Sequence, residues 1–104
     1  MNFNEYQKLA HLTAVYPSNS AKYYLTLGLT GEAGEVANKI KKEIRDNEPV
    51  NKDEIKGELG DVLWYLSELA LTYGIGLDDV ARSNIEKLQD RKRRGALRGS
   101  GDHR

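Results

Sequence analysis

The sequence predicts an all-α protein of four helices, and three observations predict it. Apolar residues recur three and four positions apart through the long segments, as they do on a helix with one buried face. No segment alternates apolar and polar residues far enough to read as a strand. Both prolines, Pro17 and Pro49, fall outside the periodic segments, so they mark boundaries between helices.

The first helix is expected from about Asn4 to Val15. Asn4 followed three residues later by Gln7 resembles a capping box. Phe3, Tyr6 and Leu9, with Ala10, Thr13 and Ala14, give this helix its less polar side. Tyr16-Pro17-Ser18-Asn19 reads as a turn, after which Ser18 or Ser20 caps a second helix, from about Ala21 to Arg45. Asp46-Asn47-Glu48-Pro49 is a polar loop. Asn51, with Glu54 three residues on, starts a third helix that runs to about Tyr73 and ends at Gly74-Ile75-Gly76. Asp78 or Asp79 opens the fourth, which runs to about Arg93. The remainder is polar and glycine-rich without periodicity. The chain therefore divides into a helical domain, 1–94, and a basic tail, 95–104.

A chain of 104 residues fits one domain with a modest core, and oligomerisation would help it. Its helices are long for its length, so their apolar sides need a partner. A homo-oligomeric helical bundle is expected, at least a dimer. Net formal charge is zero, which argues against a generally basic nucleic-acid binder. The distribution is uneven: residues 1–90 hold ten Lys/Arg against fifteen Asp/Glu. Residues 91–104 hold six Lys/Arg against Asp102 alone, so the tail is suited to an anionic partner. There is no cysteine, which excludes disulfides, thiolate metal sites and cysteine nucleophiles. The first residues lack the charged and apolar pattern of a secretion leader, and no apolar stretch approaches a membrane span. A soluble cytoplasmic protein is the expectation.

One pattern occurs twice. Gly31-Glu32-Ala33-Gly34-Glu35-Val36 and Gly57-Glu58-Leu59-Gly60-Asp61-Val62 repeat small and acidic residues in the same order, inside segments that otherwise read as helix. A helix completes a turn every 3.6 residues, which fixes where each side chain points. Leu25, Val36 and Leu29 then fall in that order to one side of Glu32, and Glu35 falls to the other. Leu69, Val62 and Ile55 flank Glu58 in the same order, with Asp61 on the opposite side. Each helix thus sets one acid among its hydrophobes and a second at their margin. Four carboxylates are expected to face an interior. Ionised carboxylates there repel one another and need a cation. No Lys or Arg shares these narrow faces, so a hard divalent ion, Mg²⁺ or Mn²⁺, is the natural counter-charge. The absence of histidine from both clusters argues against a di-iron bundle. The glycines, each costing roughly 1 kcal/mol against alanine, would let helix backbones approach closely or admit a metal-bound ligand.

Glu32-x-x-Glu35 followed by Glu58-x-x-Asp61 resembles the signature of the MazG-like, all-α nucleoside triphosphate pyrophosphohydrolases. "LGLTGEAGEVANKIKK" and "ELGDVLWYLSELA" resemble family members across both helices. "NIEKLQDRKRRG" resembles the family's following Asn-x-x-Lys-Leu-x-x-Arg element, and "YQKLAHLTAVYP" the first helix of a short, single-domain branch from bacteria and phages. The resemblance implies a MazG-like fold and Mg²⁺-dependent hydrolysis of an NTP or dNTP to the monophosphate and pyrophosphate. It makes Glu32, Glu35, Glu58 and Asp61 the metal ligands. Metal would lower the pKa of the water that attacks the α-phosphorus. Glu35, with Glu32 beside it, is the carboxylate assigned to activate that water. A homodimer or a dimer of dimers, a nucleoside triphosphate substrate and a role in house-cleaning of the nucleotide pool are also implied.

Asn84, Lys87 and Arg91 recur at spacings of three and four and so share a face of the fourth helix. Asn can donate a hydrogen bond, Lys supplies a point charge and Arg can grip phosphate with two donors. The family element suggests that this trio meets the triphosphate. In the tail, amides around Gly95, Gly99 and Gly101 can cradle anions, with Arg94 and Arg98 adding charge, so an ordered lid over the phosphates is expected. Some relatives carry a lysine three residues before each acidic motif. Leu29 and Ile55 stand there instead, which leaves Lys39 and Lys56 as the candidate lysines of these helices.

Tyr65 falls near the acids and could line the nucleotide site, whereas Trp64 points towards a helix or subunit contact. His11, Tyr16, Tyr23 and Tyr24 could supply flat surfaces for a base. Three alternatives stay open: a non-catalytic helical oligomer whose acids hold metal structurally, a nucleic-acid binder driven by the tail, and a related hydrolase of phosphoribosyl-ATP or an alarmone.

Overall fold

A computed structural model describes residues 1–104 and consists of four helices with no strand. They are α1 (Phe3–His11), α2 (Ala21–Asp46), α3 (Lys52–Thr72) and α4 (Leu77–Arg93). A single 3₁₀ turn, Ser18–Ser20, leads into α2.

Helices α2 and α3 form an antiparallel hairpin, the largest contact in the molecule. Asn47 ends α2 in the left-handed conformation, at φ 51°, which an asparagine tolerates as a helix terminator. Glu43 reaches across the loop to accept the Val50 amide at 2.9 Å. Asn51 then caps α3, its side chain accepting the amides of Asp53 and Glu54, as its position in the sequence predicts. Residues late in α2 meet residues early in α3: Lys39 pairs with Glu54, and further back along α2 Gly28 lies against Tyr65.

Helix α1 crosses α3 and meets the start of α4 through a polar clasp. The buried Gln7 amide donates to the carbonyls of Ser67 (3.2 Å) and Ile75 (3.1 Å), and its oxygen accepts the Leu77 amide (3.2 Å). Asn4 accepts the Asp78 amide and Asp78 accepts the Phe3 amide. These bonds correct the expected capping box. The cap is Asn2, which accepts the Glu5 amide and donates back to the Glu5 carboxylate. Asn4 and Gln7 instead supply partners for the first amides of α4, which its own backbone cannot satisfy.

Helix α1 also stops at His11 rather than Val15. The Thr13 hydroxyl and the Trp64 indole both donate to the Ala10 carbonyl, and Trp64 donates to Thr13 as well. The backbone closes here with i+3 bonds, the amides of Leu12, Thr13 and Ala14 donating to Leu9, Ala10 and His11, and the two side chains reinforce the one at Ala10. Ser20 occupies the cap position of α2 without making a capping bond, because the chain enters through the 3₁₀ turn after Pro17.

The single chain buries little. Eight residues are buried, and only Ala10, Leu25, Ala70 and Leu77 among them are apolar. Leu12, Val15, Leu27 and Ile44 are largely exposed. The radius of gyration is 16.5 Å, against about 13 Å for a compact domain of this length. No helix is long and apolar enough to cross a membrane.

Candidate functional site

The doubled motif places its acids on facing positions of the α2–α3 hairpin. Glu32, Glu58 and Asp61 each bring one carboxylate oxygen into a group whose members all lie within 4.8 Å of one another. Glu35 stands one turn along α2, outside that group and exposed. None of the four takes part in an ion pair. The Glu32 carboxyl is held above its ordinary pKa by partial burial and then by the charges of Asp61, Glu58 and Glu35.

The acids do not face a closed interior, as helical periodicity suggested. Glu32 and Glu58 are half-buried, whereas Glu35 and Asp61 are exposed. The apolar residues beside them are better covered: Leu25 is fully buried, and Leu29, Val36, Ile55, Val62 and Leu69 are half-buried. The motif glycines are open too: a Cβ at Gly31, Gly34, Gly57 or Gly60 would meet nothing within 4 Å. They do not bring α2 and α3 together. That role falls to Gly28, where a Cβ would run into the Tyr65 ring.

Tyr65 links the acids to an aromatic cluster. Its phenol is pushed up by burial, then by Tyr24, and then by Glu32 and Asp61. Trp64 meets it edge-on at 5.0 Å, and Tyr24 lies at 6.4 Å. Tyr16 stacks on Tyr24 at 5.8 Å and meets Trp64 edge-on at 6.2 Å. Trp64 packs between α1 and α3. Tyr23 is separate and exposed, with the Lys22 ammonium over its ring.

Sequence reasoning missed Glu68. It is fully buried, and its Oε2 accepts from the Tyr16 hydroxyl at 2.6 Å and contacts His11 Nδ1 at 3.0 Å. Burial first, and the bond to Glu68 second, push the Tyr16 phenol up to about 12. Glu68 Oε1 and the neighbouring Ser67 Oγ have no partner within the chain. A signal existed: Glu68 follows Asp61 by seven residues, which returns it to nearly the same helix face.

The basic candidates are dispersed. Lys39 is half-buried but pairs with Glu54, two turns from Glu32 along α2, while Lys56 is exposed. Asn84 and Lys87 line a cavity of about 400 Å³ with Ile75, Asp79, Val80 and Ser83. Lys87 and the buried Arg91 both bind Asp102 of the tail. Arg94 binds Asp90 and the Arg104 carbonyl, and Arg98 is exposed. The tail is thus folded onto the basic face of α4.

Residues 21–95 match the family model described as the MazG nucleotide pyrophosphohydrolase domain, a span that contains the hairpin, the acids and α4. The "Gene 37 protein" of Mycobacterium phage L5 is 46% identical to this chain over an alignment that covers the full length of both. No solved structure matches significantly.

Proposed function

This chain belongs to the MazG nucleotide pyrophosphohydrolase family, and from that premise we propose that it hydrolyses nucleoside triphosphates to monophosphates and pyrophosphate with Mg²⁺. The observation that carries the reading is the convergence of Glu32, Glu58 and Asp61 from two helices. The donor set fits the ion: carboxylate oxygens alone, no nitrogen or sulfur, and no protein cation neutralising them. Partial burial first, and the neighbouring acids second, raise the pKa of Glu32, and a divalent cation offsets both by stabilising the ionised form.

Glu32, Glu58 and Asp61 would hold the metal, with Glu35 completing the set from the next turn of α2. When bound, the ion supplies charge neutralisation for the triphosphate and makes water more acidic. The chain's own groups do the rest. Glu35, exposed and free of an internal partner, accepts the proton of the water that attacks the α-phosphorus. Tyr65, between the acids and the aromatic cluster, supports the nucleoside. Asn84, Lys87 and Arg91 take the pyrophosphate end, with Arg94, Arg98, Lys39 and Lys56 as more distant positive charge. The open glycine face beside the acids leaves room for a substrate to lie against the helix backbones.

A second copy completes the site in this reading. The expanded shape and the exposed Leu12, Val15, Leu27 and Ile44 leave too little core for one chain, which supports a homodimer or dimer of dimers.

The test is a panel of NTPs and dNTPs with Mg²⁺ or Mn²⁺, with products separated. Pyrophosphate and a monophosphate are expected. Orthophosphate with a diphosphate would contradict the bond assigned. Metal-dependent melting without turnover on any nucleotide, phosphoribosyl-ATP and alarmones included, would favour a structural metal site.

A further inference from the structure

The tail places a carboxylate where the proposed function needs a phosphate. Asp102 Oδ1 accepts from Lys87 Nζ and from Arg91 Nη2 (3.2 Å), and the Asp102 backbone carbonyl accepts from the same Arg91 nitrogen at 2.7 Å. A turn built around Arg104 presents it. The Arg104 guanidinium donates to the carbonyls of Ala96, Leu97 and Gly101, and its own carbonyl accepts from Arg94. Gly95 (φ 68°) and Gly101 (φ 81°) take up the left-handed backbone that this reversal requires. Gly99 has no room for a side chain, since a Cβ there would run into Arg104. The fold of the tail thus sets Asp102 against two cations of α4.

We propose that Asp102 is a built-in competitor for the Lys87–Arg91 anion site, a latch that a pyrophosphate-class ligand must displace. The proposal rests on the reading of Lys87 and Arg91 as triphosphate contacts. Chemical likeness supports it: a carboxylate and a phosphate offer the same charge-assisted acceptors to Lys and Arg. The balance of strengths supports it as well. Lys87 and Asp102 are both partly exposed, so that pair is weak, and the firmer hold is the one from the buried Arg91. A ligand with several negative oxygens can outcompete it. The tether compensates for the weakness, because a short connection makes the competitor intramolecular, at an effective concentration of about millimolar or above. Lys87 first, and Arg91 after it, hold the Asp102 carboxyl below its ordinary pKa, which favours the ionised form that competes with phosphate.

The test titrates inorganic pyrophosphate into the full chain without metal, by calorimetry at fixed low ionic strength. Relieving a latch that is closed for half to nine-tenths of the time tightens apparent affinity about two- to tenfold. Asp102→Asn is expected to show that gain. Glu86→Gln makes the same charge change one residue from Lys87, without a contact to either cation, and is expected to stay near wild type. Lys87→Gln is expected to weaken binding in both the wild-type and the Asp102→Asn background. Hydrogen exchange at residues 96–104 is expected to quicken in the wild type when pyrophosphate is added.

An unchanged or weaker affinity in Asp102→Asn, with Lys87→Gln still weakening binding, overturns the latch and leaves the phosphate reading standing. An equal gain in Glu86→Gln overturns it in favour of net charge alone. No effect of Lys87→Gln in either background overturns both readings.

Discussion

Two polar regions of α3, about 10 Å apart along its axis, treat the same chemistry in opposite ways. At Glu58 and Asp61 the carboxylates stand half-buried or exposed, crowd a third acid from α2 and take no partner from the chain. At Ser67 and Glu68 the helix passes under α1, and the carboxylate is buried against Tyr16 and His11. Beside it, Gln7 ties three elements together. The acids at one place have no partner within the chain, while the acid at the other is bonded inside the fold. Burial without an outside path turns a carboxylate into structure. Burial on one side only, with like charges as neighbours, leaves it open to a cation, which is the role proposed for it above.

The largest expected effect breaks the comparison on function. Glu58→Gln, Asp61→Asn and Glu35→Gln should each lower pyrophosphate release from a nucleotide by more than the roughly 10–100-fold that a supporting residue of a metal site costs. Metal-free melting temperature should not fall, because these side chains make no internal bonds and each adds to the charge beside Glu32. Full turnover in Glu35→Gln would remove that residue from the site.

On stability the order should reverse. Glu68→Ala empties a fully buried position and takes the acceptor from the Tyr16 hydroxyl, a loss of about 2–4 kcal/mol by urea unfolding. Specific activity of the folded fraction should change only a few-fold. If Glu68→Gln instead stops turnover in a chain of unchanged stability, Glu68 belongs with the acid face and the division between the two regions fails.

What could be read from the sequence follows the same division. The four helices, the Asn51 cap and the convergence of the two acidic motifs rest on local periodicity, and periodicity survives folding. The junction does not rest on it. Gln7 meets Ser67, Ile75 and Leu77 across about sixty to seventy residues, a match that no window around Gln7 contains. The end of α1 at His11 has a distant contributor too, since Trp64 bonds the Ala10 carbonyl across fifty-four residues. Asp102 was legible as the lone acid of a basic tail, but the choice of Lys87 and Arg91 as its partners depends on the turns at Gly95 and Gly101. The openness of the acid face was hidden because a helical wheel reports which side is apolar and says nothing of what covers it.

The glycines sharpen the comparison at smaller scale. Gly28→Ala would force the Tyr65 ring aside, an overpacking cost of about 1–3 kcal/mol. Gly34→Ala and Gly60→Ala meet open space and should stabilise the chain by up to about 1 kcal/mol through helix propensity. Should either lower activity despite the gain, the open face is where substrate or a second copy sits. Paired melting and turnover measurements on the three variants separate these outcomes.

The smallest effect concerns the charge that the acid face carries when no metal is bound. The Glu32 carboxyl has its pKa raised in the folded state, so the folded chain resists its ionisation. Stability from this group is fully present below the unfolded pKa, and is lost as pH rises through the higher folded value. At neutral pH without metal, Glu32 therefore weighs against folding. Glu32→Gln should raise the metal-free melting temperature by about 1–3 °C, although it removes a proposed ligand. The advantage should vanish in acid, where the wild-type carboxyl is protonated. Millimolar Mg²⁺ should raise the melting temperature of the wild type and leave the variant nearly unmoved, so that the two curves cross. A variant that is no more stable than wild type without metal, and still responds fully to Mg²⁺, would place the cation elsewhere and leave the three converging acids without their assigned ligand.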